Sequence, residues 1–254
     1  MIPNIIHQIW IQGYDQIPPK LKNYHKTCQS INNDFRHMFW TEDQIQELLL
    51  NSFGLDYVDL YNYYKVPAQK ADFARYAILY VWGGIYLDMD IVCRKNLKPF
   101  LRYKLFFTRN KISFSMYQRY PTTIIGAVKH HPMFAVLFEN IFSRRNQSHK
   151  IIYSTGPKLF YDSVKKYVQM TNDNDVMVID PKYMHPCEIA DSDSCPHICQ
   201  DCYVAHISHL SWSMKLRVLK FILKNITVLS LTFILALIIL IIILFWKKNS
   251  GTWE

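Results

Sequence analysis

Between Pro67 and Asp90 the chain has few ways to fold. The run Ala68-Gln69-Lys70-Ala71-Asp72-Phe73-Ala74-Arg75-Tyr76-Ala77-Ile78-Leu79 predicts a helix opened by Pro67, and it puts Asp72 and Arg75, three residues apart, on one face. Gly83-Gly84 ends that helix, because glycine alone enters the left-handed region without steric cost. A short apolar strand, Ile85 to Leu87, follows and delivers Asp88 and Asp90 at its carboxyl end. Two hard oxygen ligands so placed suit Mn²⁺ or Mg²⁺ held together with a diphosphate. A bare Asp-x-Asp is common in solvated loops; its position after this helix, glycine pair and strand is what constrains it.

The rest of the chain supplies the frame. Ile5 to Ile11 reads as a buried first strand, and Ile17-Pro18-Pro19 leads into a helix ending near Ser30. Phe35 to Trp40 alternates as a strand. Thr41 then caps a helix through about Phe53, with Gln44 in the capping-box position. Asp56 to Tyr64 is a short aromatic helix. Strands alternating with helices imply an α/β fold with a parallel-dominated sheet covered on both faces. After Asp90 the pattern becomes mixed. Strands are expected at Leu105 to Thr108, Ser113 to Tyr117, Thr123 to Val128, Val176 to Asp180 and Tyr203 to Ile207, and helices at His131 to Arg144 and Gly156 to Gln169. In open α/β sheets ligands bind at the carboxyl ends of strands, where Asp88 and Asp90 fall.

Ala68-x3-Asp72-x2-Arg75 followed by Gly83-Gly84-x-Tyr86-x-Asp88-x-Asp90 resembles the sugar-nucleotide site of the family 32 glycosyltransferases, which include initiating mannosyltransferases and inositol-phosphoceramide mannosyltransferases. The same block is similar to one in large clostridial glucosylating toxins. The resemblance implies a glycosyltransferase type A fold, a Rossmann-like mixed sheet, over residues 1–213. It also implies metal-dependent, retaining transfer of a hexose, mannose favoured, from a GDP- or UDP-hexose to a hydroxyl on a glycan or a lipid. Asp88 and Asp90 would hold the metal, Asp72 would bind donor hydroxyls, and Arg75 the donor sugar or its phosphate. Tyr86 would touch the donor near the metal; packed inward, it would be an ordinary strand aromatic. Trp10, in the opening strand, would lie beside the base or serve as a core aromatic, while His7 reads as a satisfied buried histidine. Thr155-Gly156-Pro157 resembles a second family motif, whose backbone N–H groups around Gly156 would face a sugar. His206, with His209 as its alternative, would complete the metal shell, and Trp212 would close over the donor or mark a membrane interface. Two rival readings share the paired aspartates: a metal-dependent nucleotide-sugar phosphohydrolase, and an inactive nucleotide-binding membrane protein.

Thr227 to Trp246 carries no charge and is almost entirely aliphatic or aromatic. At 1.5 Å per residue such a stretch crosses a ~30 Å hydrocarbon core, so a transmembrane helix is expected over 227–246 with a short tail at 247–254. The segment 214–226 repeats Lys215, Arg217, Lys220 and Lys224 among apolar residues, as a basic juxtamembrane helix or a solvated helix with snorkelling lysines would. With no secretory signal at Met1, the expectation is a single-pass, C-terminally anchored protein. The excess of cations before the span favours a cytosolic catalytic domain. The sequons Asn146-Gln147-Ser148 and Asn225-Ile226-Thr227 would matter only in a lumen.

The net charge of +9 fits anionic partners, but much of it flanks the span, so nucleic acid is not expected. Half of the 254 residues are hydrophobic, enough for one sizeable core. Cys28 and Cys93 are expected as isolated buried thiols. Cys187, Cys195, Cys199 and Cys202 are open to three readings: a structural zinc site, two disulfides, or free thiols.

Overall fold

The computed structural model describes residues 1–110, 120–171, 175–187 and 194–208, together with scattered helical positions between 218 and 240. It divides into two compact units, Met1–Trp212 and Ser213–Glu254.

The larger unit begins with β1 (Ile5–Ile9), α1 (Pro19–Ile31), β2 (Arg36–Trp40), α2 (Glu42–Phe53), α3 (Leu55–Tyr63), α4 (Pro67–Trp82), β3 (Gly84–Leu87) and β4 (Ile91–Cys93). It continues with β5 (Leu105–Thr108), β6 (Ile124–Ala127), α5 (Met133–Ser143), α6 (Ile151–Ser154), α7 (Pro157–Thr171), β7 (Val176–Ile179), α8 (Pro181–Met184), α9 (Cys195–Ile198) and β8 (Val204–His206). Six strands form one sheet in the order β2-β1-β3-β6-β5-β7, and β4 pairs antiparallel with β8 in a second, two-stranded sheet. In the large sheet β1 is parallel to β2 and β3, and β5 to β7, whereas β6 runs antiparallel to both of its neighbours.

Period-two alternation explains the layers. Ile9, Tyr86, Leu105, Phe107, Ile125 and Ala127 pack into one core with α2, α3, α4, α5 and α7. Ile6, Ile85, Leu87, Phe106 and Ile124 point into the other, against Cys28 of α1, Phe100, Ile91, Val204 and Met184. A sheet buried on both faces needs near-continuous apolar strands, and β3, β5 and β6 are buried at every position. The expected strand at Ser113 to Tyr117 lies outside the described residues.

Two local predictions are met in detail. The Thr41 backbone N–H donates to Gln44 Oε1 at 3.0 Å, closing the N-terminus of α2. Gly83 and Gly84 have φ of +63° and +99°, and a Cβ on Gly84 would stand 2.7 Å from the Ile5 carbonyl oxygen, so the α4–β3 junction excludes any other residue. His7 is the satisfied core histidine expected. Its Nε2 donates to the Gly83 carbonyl at 2.8 Å, and its Nδ1 accepts from Trp40 Nε1 at 3.2 Å.

The cysteines depart from two expectations. Cys28 and Cys93 are not isolated thiols: α1 packs on β4, brings their Cα atoms to 4.8 Å, and the two form a disulfide. Cys187 pairs with Cys195 and Cys199 with Cys202, which leaves no thiolate for a structural zinc; of the three readings, the disulfides hold.

In the smaller unit the described positions are helical. Consecutive residues Leu235 to Leu240 are all exposed, including Leu237, Ile238 and Ile239. Most of the expected span 227–246 lies outside the described residues, and among those described no helix is long and apolar enough to cross a membrane.

Candidate active site

Parallel strands bring β1 and β3 to the same carboxyl edge, and the antiparallel β6 brings its N-terminal end there as well. A tight turn follows β3, with the Ile91 N–H donating to the Asp88 carbonyl at 3.1 Å. This turn places Asp88 and Asp90 at the edge and feeds the chain into β4. Opposite Ile91 in β8 stands His206. Its Nε2 lies 3.2 Å from Asp90 Oδ1, and the Ile207 N–H donates to the Asp90 carbonyl.

The helix α4 contributes the other half. Asp72 and Arg75 form an ion pair three residues apart, Nη2 to Oδ1 at 3.2 Å, but it is not the exposed helical pair of ordinary surfaces: the two side chains are only 10% and 6% exposed. Arg75 also meets Asp88 Oδ1 through Nη1 at 3.2 Å and donates to the Thr122 carbonyl at 2.6 Å. Its Nε donates to the Ala71 carbonyl, and the Tyr86 ring lies 4.5 Å from its guanidinium carbon. One guanidinium thus ties two carboxylates and a strand end together. The remaining Asp72 oxygen, Oδ2, accepts from the Thr155 hydroxyl at 3.2 Å. Tyr86 OH donates to Asp88 Oδ1 at 2.7 Å.

Burial sets the protonation of this half. Removal from water pushes the Asp72 carboxyl up to about 6, against the pull of the Arg75 cation. Asp88 is raised for the same first reason, again opposed by Arg75. Arg75 stays protonated although burial disfavours its charge, because Asp88, Tyr86 and Asp72 surround it.

Tyr86 is 2% exposed, so it is the inward-packed strand aromatic, and it anchors Asp88 rather than facing solvent. Trp10 is half-buried against Ile17, Leu21 and Met89, the residue between the two aspartates, and its buried Nε1 finds no hydrogen-bond partner among the described residues. Gly156 is also buried. Its N–H and that of Thr155 both donate to the Ile151 carbonyl, so they are not the sugar-facing amides expected. Instead a Cβ on Gly156 would come 3.1 Å from Ile152 Cα and 3.4 Å from Asp72 Oδ2, so the glycine lets α7 start close to Asp72. Trp212 and His209 lie outside the described residues. Thr122, which reading the sequence missed, sits in a segment without motif signal. Only the reversed direction of β6 brings it to the site.

Asp88, Asp90 and His206 each offer one ligand atom, and all three atoms lie within 4.8 Å of one another. Two carboxylates and an imidazole are donors for a divalent cation, and their side chains are partly exposed. The donor set therefore fits a divalent metal. Further along the same edge, a cavity of about 390 Å³ is lined by Arg109, Tyr120, Val178 and Asp180.

The stretch that carries Asp72, Arg75, Asp88 and Asp90 has counterparts in sequence among known proteins. Residues 18–107 match the glycosyltransferase sugar-binding region containing DXD motif. An uncharacterized glycosyltransferase of Acanthamoeba polyphaga mimivirus is 48% identical over 225 residues, which cover 89% of each chain. Inositol phosphoceramide mannosyltransferase 3 of Schizosaccharomyces pombe is 31% identical over 160 residues, 61% of this chain but 43% of that protein. The UDP-bound glycosyltransferase domain from the YGT toxin shares the fold, with a TM-score of 0.50 over 70% of this chain and 79% of that one, at 10% identity. The chain belongs to the glycosyltransferase family defined by this DXD region and is a glycosyltransferase with a mixed α/β, type A-like fold.

Proposed function

We propose that the protein transfers a hexose, with mannose favoured, from a GDP- or UDP-hexose to a hydroxyl of a glycolipid or glycan, with retention and with Mn²⁺ or Mg²⁺ bound by Asp88, Asp90 and His206. The observation that carries this reading is the convergence of those three side chains beside the Arg75 network. A divalent ion there would offset charge on the leaving nucleoside diphosphate. Asp88 is pre-oriented by Tyr86 and Arg75, and Asp90 is held by β8 through His206 and Ile207. Arg75 adds fixed positive charge where the leaving group becomes negative. Asp72, buried behind it, holds Arg75 through Oδ1 and Thr155 through Oδ2, and a contact with donor hydroxyls is part of the same proposal. Among the described residues no carboxylate stands out as a nucleophile, so a same-face displacement, with the acceptor proton passing to the leaving phosphate, is the simplest retaining route. The preference for mannose and for an inositol-phosphoceramide type of acceptor comes from relatives bearing those names.

The same proposal includes a membrane anchor in the second unit. The exposed apolar run at Leu235 to Leu240 and the uncharged stretch 227–246 support it, and the basic segment 214–226 would meet anionic headgroups. The cation bias across that stretch favours a cytosolic catalytic unit, whereas three disulfides favour an oxidising compartment. Labelling an introduced surface cysteine in intact and permeabilised cells decides between the two.

The test is nucleoside diphosphate release by the full chain in detergent, with Mn²⁺ and a panel of nucleotide sugars. Release from one donor, dependent on a lipid or glycan acceptor and lost on chelation, is expected. Hydrolysis of donors with no acceptor requirement would replace this reading with a phosphohydrolase.

A further inference from the structure

β6 is antiparallel to β3 and β5, so the residues entering it arrive where the other strands leave. The register Leu87↔Ile124 then sets Thr123 beside Asp88 and Thr122 one residue further out. Each threonine holds a different part of the site. The Thr123 carbonyl accepts the Asp88 backbone N–H at 2.9 Å. Thr122 turns toward α4: its carbonyl accepts from Arg75 Nη1 at 2.6 Å, and its hydroxyl accepts from the same nitrogen at 3.2 Å. The hydroxyl also stands close enough to Asp72 to favour its ionised carboxylate. Thr122 is 5% exposed, so water does not substitute for these contacts.

Two carboxylates alone do not fix a guanidinium. Arg75 reaches Asp72 through Nη2 and Asp88 through Nη1, both at 3.2 Å, and a planar cation between two anions can pivot about that line. The Ala71 and Thr122 carbonyls hold Nε and Nη1 as well, and the Thr122 hydroxyl, on the bend that leads into β6, adds a side-chain contact to Nη1. We propose that Thr122 is a positioning residue: its hydroxyl sets the plane of Arg75 and thereby the spacing of Asp72 and Asp88 required for glycosyl transfer. The inference rests on the transferase function proposed above. Thr122 acts through Arg75: its hydroxyl meets Arg75, Asp72 and Tyr76, none of them among the proposed metal ligands.

Thr122→Val deletes the hydroxyl while keeping the β-branched shape and the backbone carbonyl; Thr122→Ser restores the hydroxyl. In the full chain with Mn²⁺ and the donor turned over by the wild type, Thr122→Val is expected to lower kcat ~10-fold with KM for the donor within about twofold, and Thr122→Ser to recover most of the loss. An unchanged kcat in Thr122→Val, a change confined to KM, or a serine variant as impaired as the valine one would overturn the proposal. A second readout needs no turnover. In ¹⁵N NMR the Arg75 Nη signals, assigned by their loss in Arg75→Lys, should be separate and slowly exchanging in the wild type and in Thr122→Ser, and averaged in Thr122→Val. If the wild type turns over no nucleotide sugar, the transferase reading fails. The Arg75 signals then decide the role of Thr122 alone, and separate signals in Thr122→Val would refute it.

Discussion

The site has two halves, and they are built on opposite plans. Asp72 and Arg75 are almost wholly buried, and with Thr122, Thr155, Tyr86 and Asp88 they satisfy one another. Asp90, in the turn that enters β4, meets His206 of β8, and their side chains are about 15% and 14% exposed. Asp88 belongs to both, since its Oδ1 is held by Tyr86 and Arg75 while 23% of its side chain stays open. The contrast teaches a division of labour. A buried, mutually satisfied charge network is costly to disturb and holds shape. A partly exposed cluster of two carboxylates and an imidazole is available to a cation. Stability should therefore reside in the first half and metal affinity in the second.

The sharpest way to break that contrast is Arg75→Met. It leaves Asp72 and Asp88 close together in a buried setting without their cation, and a loss of about 3–5 kcal/mol is expected in urea unfolding. A loss below ~1 kcal/mol would mean that the network does not hold the fold. Asp90→Asn is the converse experiment. Donor turnover should fall at least ~100-fold while the unfolding midpoint hardly moves, because asparagine keeps the shape and loss of the charge relieves repulsion with Asp88.

A smaller effect belongs to the frame under both halves. His7 is kept neutral, since burial lowers its pKa to about 4 from an ordinary 6.5, and Trp40 Nε1–H occupies its Nδ1. The unfolded chain then binds a proton that the folded chain refuses. Stability should fall as pH drops from about 6.5 to about 4, by up to ~3 kcal/mol, and His7→Gln should flatten that slope. Smallest is Tyr86→Phe, which removes the 2.7 Å hydrogen bond to Asp88 and should cost about 1 kcal/mol in thermal unfolding. A loss as large as that of Arg75→Met would shift the organising role from the arginine to the tyrosine.

The amino-acid sequence carries the local half of this account. Pro67, the Gly83-Gly84 pair and the Asp-x-Asp spacing define α4, β3 and the turn because each acts within a few residues. The capping box at Thr41 and Gln44 is legible for the same reason. What was missed is long-range. The Arg75–Thr122 contact spans 47 residues and depends on the direction of β6. Cys28 and Cys93 meet only because α1 lies on β4, a strand of three residues too short to announce itself by periodicity. Gly156 carries a motif, but its role as a close-packing residue behind Asp72 rather than a source of exposed amides follows from α6 abutting α7.

The most direct test of the central claim is an Mn²⁺ titration followed by electron paramagnetic resonance on the wild type and Asp90→Asn. The account predicts one saturable Mn²⁺ in the wild type, lost in Asp90→Asn at an unchanged melting temperature. Equal Mn²⁺ binding by both proteins would contradict it and place the metal elsewhere.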